Sequence, residues 1–324
     1  MAGPVLVGDV GGTHCRFALA TRRDGAIRLS GVQKLRNDDH ACFADALGAY
    51  QAGLEEMPRR ALFALAGPPA RDGSIKLVNR DWPRVHPGEL ARTSGLEQVR
   101  LVNDFAAMAR AVPELPEAAF EWVREGRSES GAPVIVTGPG TGFGVGTLIP
   151  LATGGYHVLT GEGGHAAFSP YTVREAELAE RLSGEYGYVS TEMIVSGAWL
   201  QPVLDHLSDM HGRPREALAA GDILARAEAG DALCEEVCQL RARAIMGAAG
   251  DLVLINGGRG GVVLTGGVAE RMTGWLRACE ALARFEARGS HSDYMSRVPV
   301  RVLHEPTAPL IGAAALIPGD AHDH

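Results

Sequence analysis

Residues 5–21 read VLVGDVGGTHCRFALAT. The apolar run Val5–Val10 has the length and composition of a buried strand, the segment GGTH turns the chain, and Arg16–Thr21 forms a second strand. A turn at Arg22–Gly25 leads to a third strand near Ile27–Leu35, so the chain opens as a β-meander. Residues 133–150, PVIVTGPGTGFGVGTLIP, repeat the pattern with different residues. Pro133–Thr137 is a strand, Gly138–Gly142 a glycine turn and Phe143–Pro150 a second strand. This recurrence points to an internally duplicated α/β architecture.

Outward from these two stretches, a helix is expected over Ala41–Glu56 and a strand over Arg60–Ala66, ending at Gly67-Pro68-Pro69. A strand at Gln98–Val102 runs into Asn103-Asp104, and an apolar-periodic helix follows over Phe105–Val112. Pro113 and Pro116 then punctuate the chain and mark the domain crossover. Helical patterns occupy Val173–Tyr186, Gly197–His211 and Gly221–Leu240, the last running on to about Leu254. A strand at Gly261–Thr265 ends on Gly266-Gly267, a helix spans Ala269–Arg288, and a last strand, Val298–Leu303, precedes a terminal helix from Ala308.

With 324 residues, 46% of them hydrophobic and 22% charged, the chain suits a two-domain globular protein. A net charge of -8 leaves no basic stripe for a nucleic-acid backbone. The start, MAGPVLVGDV, has no basic region ahead of its first apolar run, and no apolar stretch is long enough to span a bilayer, so a cytoplasmic protein with no membrane partner is expected. Five irregularly spaced cysteines argue against a disulfide framework, and Cys234 and Cys238, four apart on a helical pattern, read as helix packing.

Glycine turns bare the backbone N–H groups that a phosphate needs and keep side chains out of its way. Gly8-Asp9-Val10-Gly11-Gly12-Thr13 and Gly138-Pro139-Gly140-Thr141-Gly142 both follow buried strands and both carry a threonine. Closing a β-hairpin is the plainer use of either turn. The acid inside the first, with Thr13 and Arg16 after it, favours phosphate. The chain has no Gly-Lys dipeptide, which excludes a P-loop, and neither turn fits G-x-G-x-x-G. Phosphate charge must then be offset by Mg²⁺, backbone dipoles and Arg16, with Asp9 as the metal holder.

These segments resemble the hexokinase/actin-like ATPase superfamily, and specifically the bacterial glucokinases of its zinc-free branch. LVGDVGGTHCRFALA is similar to the family's first phosphate motif, LVNDFAAMA to its catalytic segment and VTGPGTGFGVG to its second phosphate motif. GEGGH and YVSTEMIVSG resemble the sugar-binding segments, VVLTGGVAERM the adenosine segment, and NRDW and EPTAPLIGAAAL also fit. After Gly164-His165 no cysteine occurs before Cys234, so the zinc loop of the related repressor-and-kinase family is missing, and only four residues stand before the first strand, where its DNA-binding members carry a helix-turn-helix. His14 stands where the family pattern more often has asparagine.

The resemblance implies two actin-like (ribonuclease H-like) α/β lobes with an active-site cleft between them. The small lobe would comprise residues 1–113 with 306–324 and the large lobe 114–305. It further implies ATP-dependent phosphorylation of glucose by a homodimer. Asp104 would be the general base on the sugar 6-hydroxyl, although the residues alone read as a helix cap. Asn103, Asp104, Glu162, His165 and Glu192 would bind glucose. Glu162 and His165 lie three apart in a glycine-rich loop, and a carboxylate suits vicinal hydroxyls. Glu192 taken alone is a glutamate at a helix start, placed for the macrodipole. Gly8, Asp9, Val10, Gly11, Gly12, Thr13, Arg16, Gly140, Thr141, Gly142, Gly266 and Gly267 would bind ATP. Asn79 and Trp82 are read as lobe packing. A kinase for another hexose and a catalytically silent sugar-sensing regulator are the alternatives.

Overall fold

The computed structural model describes residues 3–78 and 80–317. The chain forms two compact units: one runs to Glu117 and resumes at Glu305, and the other is Ala118–His304.

In the first unit, β1 (Val5–Val10), β2 (His14–Arg23), β3 (Ala26–Arg36), β4 (Arg60–Leu65) and β5 (Gln98–Asn103) form a sheet in the order β3-β2-β1-β4-β5. The first three make the antiparallel meander, and β4 and β5 run parallel to β1. One face packs Phe17 and Phe63 against Phe43 and Tyr50 of the helix Phe43–Gln51, with ring centroids 5.1–6.1 Å apart. The other face packs Val7, Ala18 and Leu62 against Ala107 of the helix Asp104–Ala111 and Leu310 and Ala313 of the helix Ala308–Ala315. These two helices touch so closely that a Cβ at Gly312 would stand 1.7 Å from the Ala107 carbonyl oxygen.

In the second unit, β6 (Phe120–Arg124), β7 (Val134–Pro139), β8 (Phe143–Pro150), β9 (Tyr156–Gly161), β10 (Gly261–Leu264) and β11 (Val300–Leu303) form a sheet in the order β6-β11-β10-β7-β8-β9. Read from β9, the sequence meander–parallel–parallel is that of the first sheet, with β6 added at the edge. β7 to β9 are antiparallel neighbours, and β10 lies parallel to both β7 and β11. The duplication seen in the sequence pattern is therefore a duplication of topology. The 25-residue helix Ala232–Asn256 supplies much of the core, with Val237, Ile245, Met246, Ala249 and Val253 fully buried.

Several expected elements are shorter or divided. The helical pattern from Gly221 to Leu254 is two helices, Ala220–Glu228 and Ala232–Asn256. Gly230 turns left-handed (φ 88°) between them, and the Asp231 carboxylate accepts the N–H groups of Leu233 and Cys234 to start the second. The expected helix Ala269–Arg288 is three pieces, Gly267–Arg271, Thr273–Leu276 and Cys279–Glu286. There the Thr273 hydroxyl bonds back to Glu270 and Ala278 is extended. The helix at Ala41–Glu56 covers only Phe43–Gln51. The sequence reading passed over the helix Pro87–Ser94 and the strands β6 and β9.

Candidate active site

In the first unit the meander turn Gly11–Thr13 lies at the carboxyl end of β1. Asp9 pairs in register with Arg16 across β2, and their side chains approach to 3.5 Å (Oδ2 to Nη1). Arg16 also donates to the Pro306 carbonyl at 2.9 Å. Burial pushes the Asp9 carboxyl up to about 6, and the Arg16 charge only partly opposes it. Thr13 is exposed, and among the described residues the N–H groups of Gly12 and Thr13 reach no main-chain acceptor. An exposed turn with open donors beside a desolvated carboxylate is suited to an anion that brings its own cation.

The turn residues do not all serve as the sequence suggested. A Cβ on Gly8 would stand 2.7 Å from the Phe63 ring and 3.0 Å from Phe17, so glycine there is dictated by core packing. The Val10 side chain is buried, and its carbonyl accepts the Ala66 N–H. A Cβ on Gly11, by contrast, would meet only the His14 carbonyl oxygen, at an unstrained 3.9 Å. His14 pairs with Arg36 and Arg16 with Lys34 across β2 and β3, which gathers cations beside the turn. Burial and the charges of Lys34, Arg16 and Arg36 depress the His14 imidazole, so it stands neutral at pH 7.

Asn37, unnoticed in the sequence, organises this turn. Fully buried, it donates Nδ2 to the Gly11 carbonyl at 2.8 Å and its main-chain N–H to the Thr13 carbonyl at 3.0 Å. Its Oδ1 accepts the Cys15 thiol at 3.0 Å, and burial raises that thiol to about 12, so it remains a protonated donor. Arg80 holds the segment from behind. It donates to the Asn37 carbonyl at 2.7 Å, pairs with Asp38 at 2.8 Å and stacks over Trp82 at 4.7 Å. Trp82 is thus core, as expected, and Asn79 lies outside the described residues. The local signal for Asn37 is only an NDD run after a strand, and its partners are distant in sequence.

Asn103 ends β5 and caps the helix Asp104–Ala111. Its Oδ1 accepts the Phe105 N–H at 2.9 Å and its Nδ2 donates to the Gly67 carbonyl at 3.2 Å. The Phe105 N–H is shared with Asp104 Oδ1, also at 2.9 Å, which fixes that carboxylate at the helix start. Val10, Leu65 and Asn103 are register partners on β1, β4 and β5. Asp9 and Asp104 therefore occupy the same carboxyl end of the sheet, two strand spacings or about 10 Å apart along the hydrogen-bonding direction. This is where ligands bind in open α/β sheets.

The second unit places its predicted residues at the matching end of its own sheet. Gly140–Gly142 joins β7 to β8, with Thr141 exposed and Gly140 facing open space. Gly142 lies against Glu192: a Cβ there would be 2.6 Å from Oε2, the same oxygen that accepts the Phe143 N–H at 2.7 Å. Glu192 thus fastens the glycine loop rather than simply answering its own helix dipole. The loop Glu162–His165 folds over the start of β8, where a Cβ on Gly164 would meet the Phe143 carbonyl oxygen at 2.2 Å. Glu162 and His165 are exposed, with no side-chain hydrogen bond among the described residues. Thr191 N–H donates to the Ala166 carbonyl at 2.9 Å, tying the Glu192 segment to that loop.

The turn after β10 completes this end. A Cβ on Gly138 would fall 1.9 Å from the Thr265 carbonyl oxygen, and one on Gly266 would fall 2.6 Å from the Pro139 carbonyl oxygen. The second glycine loop and Gly266-Gly267 therefore dock backbone to backbone, and Gly266 takes φ 93° to do so. Within this unit the structure brings Gly140–Gly142, Gly266, Glu192, Glu162 and His165 together. Among the described residues there is no cluster of three or more His, Cys, Asp or Glu side chains that could cage a metal, and no helix long and apolar enough to cross a membrane.

Comparison with known proteins shows which family the chain is similar to. The family model described as glucokinase matches residues 6–319. The chain is 37% identical to the glucokinase of Caulobacter sp. (strain K31) over 318 residues, covering 97% of this chain and 95% of that one. It is 36% identical to the glucokinase of Nitrobacter hamburgensis, covering 96% of each. Among solved structures, a glucokinase from an Antarctic psychrotroph superposes with a TM-score of 0.83 at 31% identity, covering 96% of this chain and 98% of that one. The glucose complex of the Balamuthia mandrillaris glucokinase shares the fold at a TM-score of 0.80 and 22% identity, covering 96% and 92%.

Proposed function

The chain belongs to the glucokinase family and phosphorylates glucose at the expense of ATP, and from that premise we propose how its residues divide the work. Asp104 is the general base. It takes the proton of the glucose 6-hydroxyl as that oxygen attacks the terminal phosphorus of ATP and ADP leaves with the bridging oxygen, while the Phe105 N–H keeps its carboxylate in place. Asn103, Glu162, His165 and Glu192 bind the remaining hydroxyls. In this role Glu192 uses one oxygen for the Phe143 N–H and leaves the other for sugar, so a single side chain links the sugar contact to the glycine loop.

The open N–H groups of Gly12 and Thr13, the loop Gly140–Gly142 and the turn Gly266-Gly267 cradle the nucleotide, with Arg16 supplying charge. Asp9 fits Mg²⁺: it is one desolvated carboxylate beside open donors, with no further ligand cluster among the described residues, as suits an ion that arrives on phosphate. Bound there, the ion would screen the phosphate charge. Free thiols at all five cysteines suit a reducing cytoplasm, and family membership supports a homodimer, which sedimentation would test.

The observation that carries this reading is the common position of Asp9 and Asp104 at one sheet end. Asp104→Ala should lower kcat by about 10²–10⁴ while calorimetry still detects glucose binding. Near-normal turnover would remove Asp104 from the role of base. Equal kcat/KM across a panel of hexoses would favour a broader sugar kinase.

A further inference from the structure

At the amino ends of β10 and β11, the edge of the second sheet opposite its glycine loops, lies a cavity of about 630 Å³. Its walls include Arg127, Arg259, Arg297, Ser130 and Tyr294. Main-chain bonds hold these walls: Arg127 N–H to the Arg297 carbonyl at 2.8 Å and Glu129 N–H to the Arg259 carbonyl at 3.0 Å. The Ser128 hydroxyl donates to the Gly260 carbonyl at 2.8 Å. Arg124 adds hydrogen bonds to the carbonyls of Ser296 and Val298, on either side of Arg297. A Cβ on Gly126 would stand 2.6 Å from the Arg297 carbonyl oxygen, so the walls meet without intervening side chains.

The charges are unevenly committed. Arg259 is paired with Glu129 at 2.8 Å. Among the described residues Arg127 and Arg297 form no side-chain hydrogen bond or ion pair, and the Ser130 and Tyr294 hydroxyls are likewise unengaged, while Asp293 is the one further acid in the lining. Two guanidinium forks with two hydroxyl groups form a donor set matched to a tetrahedral oxyanion. The volume lies within the range of about 300–1,000 Å³ typical of small-molecule sites.

We propose that this cavity binds small phosphomonoesters through Arg127 and Arg297, at a site separate from the glycine loops. The four-residue strand β10 and its flanks separate the two places by about 15 Å. The proposal goes beyond the kinase reading and does not depend on it.

Calorimetric titration with glycerol 3-phosphate, against glycerol as the uncharged control, tests it. Glucose and a non-hydrolysable ATP analogue are kept saturating to fill the glycine-loop sites. Wild type should bind the phosphomonoester saturably and glycerol not at all. The double variant Arg127→Ala/Arg297→Ala should lose at least tenfold in affinity with kcat and KM for glucose unchanged. Glu129→Gln, which releases Arg259, should tighten binding. Should the alanine variant misfold, Arg127→Lys/Arg297→Lys keeps the charge without the fork and should still bind several-fold more weakly than wild type. No saturable binding to wild type, or equal binding by wild type and whichever double variant folds, would overturn the proposal.

Discussion

Asp9→Asn in the nucleotide-free enzyme isolates what the first glycine turn costs the fold. The Asp9 side chain is 18% exposed and its carboxyl is raised from 3.8 to about 6. A carboxylate raised on folding favours the protonated form, so its contribution is intact below pH 3.8 and is lost as pH rises through 6. The full shift corresponds to a penalty of about 3 kcal/mol at neutral pH. The asparagine variant never bears that charge, and Arg16 keeps its bond to Pro306. That shift already includes the attraction to Arg16, and desolvating the neutral amide offsets part of the gain, leaving about 1–3 kcal/mol of stabilisation at pH 7.5. Urea melts at pH 3.5, 5, 6 and 7.5 would show the variant more stable at 7.5 and the gap closing toward 3.5. Mg·ATP should reverse the order, because only wild type has the anion. A gap independent of pH, or a variant less stable at pH 7.5, would refute the account of Asp9 as a desolvated acid.

Gly138→Ala must part β7 from β10 and should cost more than about 3 kcal/mol in thermal denaturation, whereas Gly140→Ala, with open space around it, should melt like wild type and raise KM for ATP. Asn37→Ala orphans the Gly11 carbonyl and should cost about 1–3 kcal/mol, with KM for ATP rising more than KM for glucose in steady-state kinetics. Arg243→Ala breaks a buried pair with Glu175, 2.6 Å apart, and should cost about 3–5 kcal/mol in urea melts. Glu192→Gln retains an acceptor for the Phe143 N–H and should melt like wild type while glucose KM rises.

The first meander, and the strand–glycine turn–strand start of the second, were legible because buried strands, glycine turns and alternating strands are local patterns. Helix ends were less so. Gly230 and Asp231 break a continuous apolar periodicity through one left-handed residue and one cap, a signal of two positions inside a 34-residue pattern. β9 was missed because its residues are mostly exposed on both faces, as expected of an edge strand. Within the site, the sequence could not separate glycines that open a turn from those that admit a neighbour. Gly11 and Gly140 are of the first kind, Gly8 and Gly138 of the second. Glu192 and Asn37 act on backbone 49 and 26 residues away, and no local pattern carries that information.

The discontinuity of the first unit has a consequence for biosynthesis. Ala118–His304 begins and ends on neighbouring strands, with the His304 N–H donating to the Ala119 carbonyl at 2.9 Å. It holds all its own segments once residue 304 has left the ribosome. The first unit, translated mostly earlier, lacks Leu310 and Ala313 of its second core until the last helix emerges. The part of the enzyme made first is therefore finished last, and in the interval Val7, Ala18 and Leu62, on a sheet whose five strands have all been synthesised, lack the share of their cover that Leu310 and Ala313 supply.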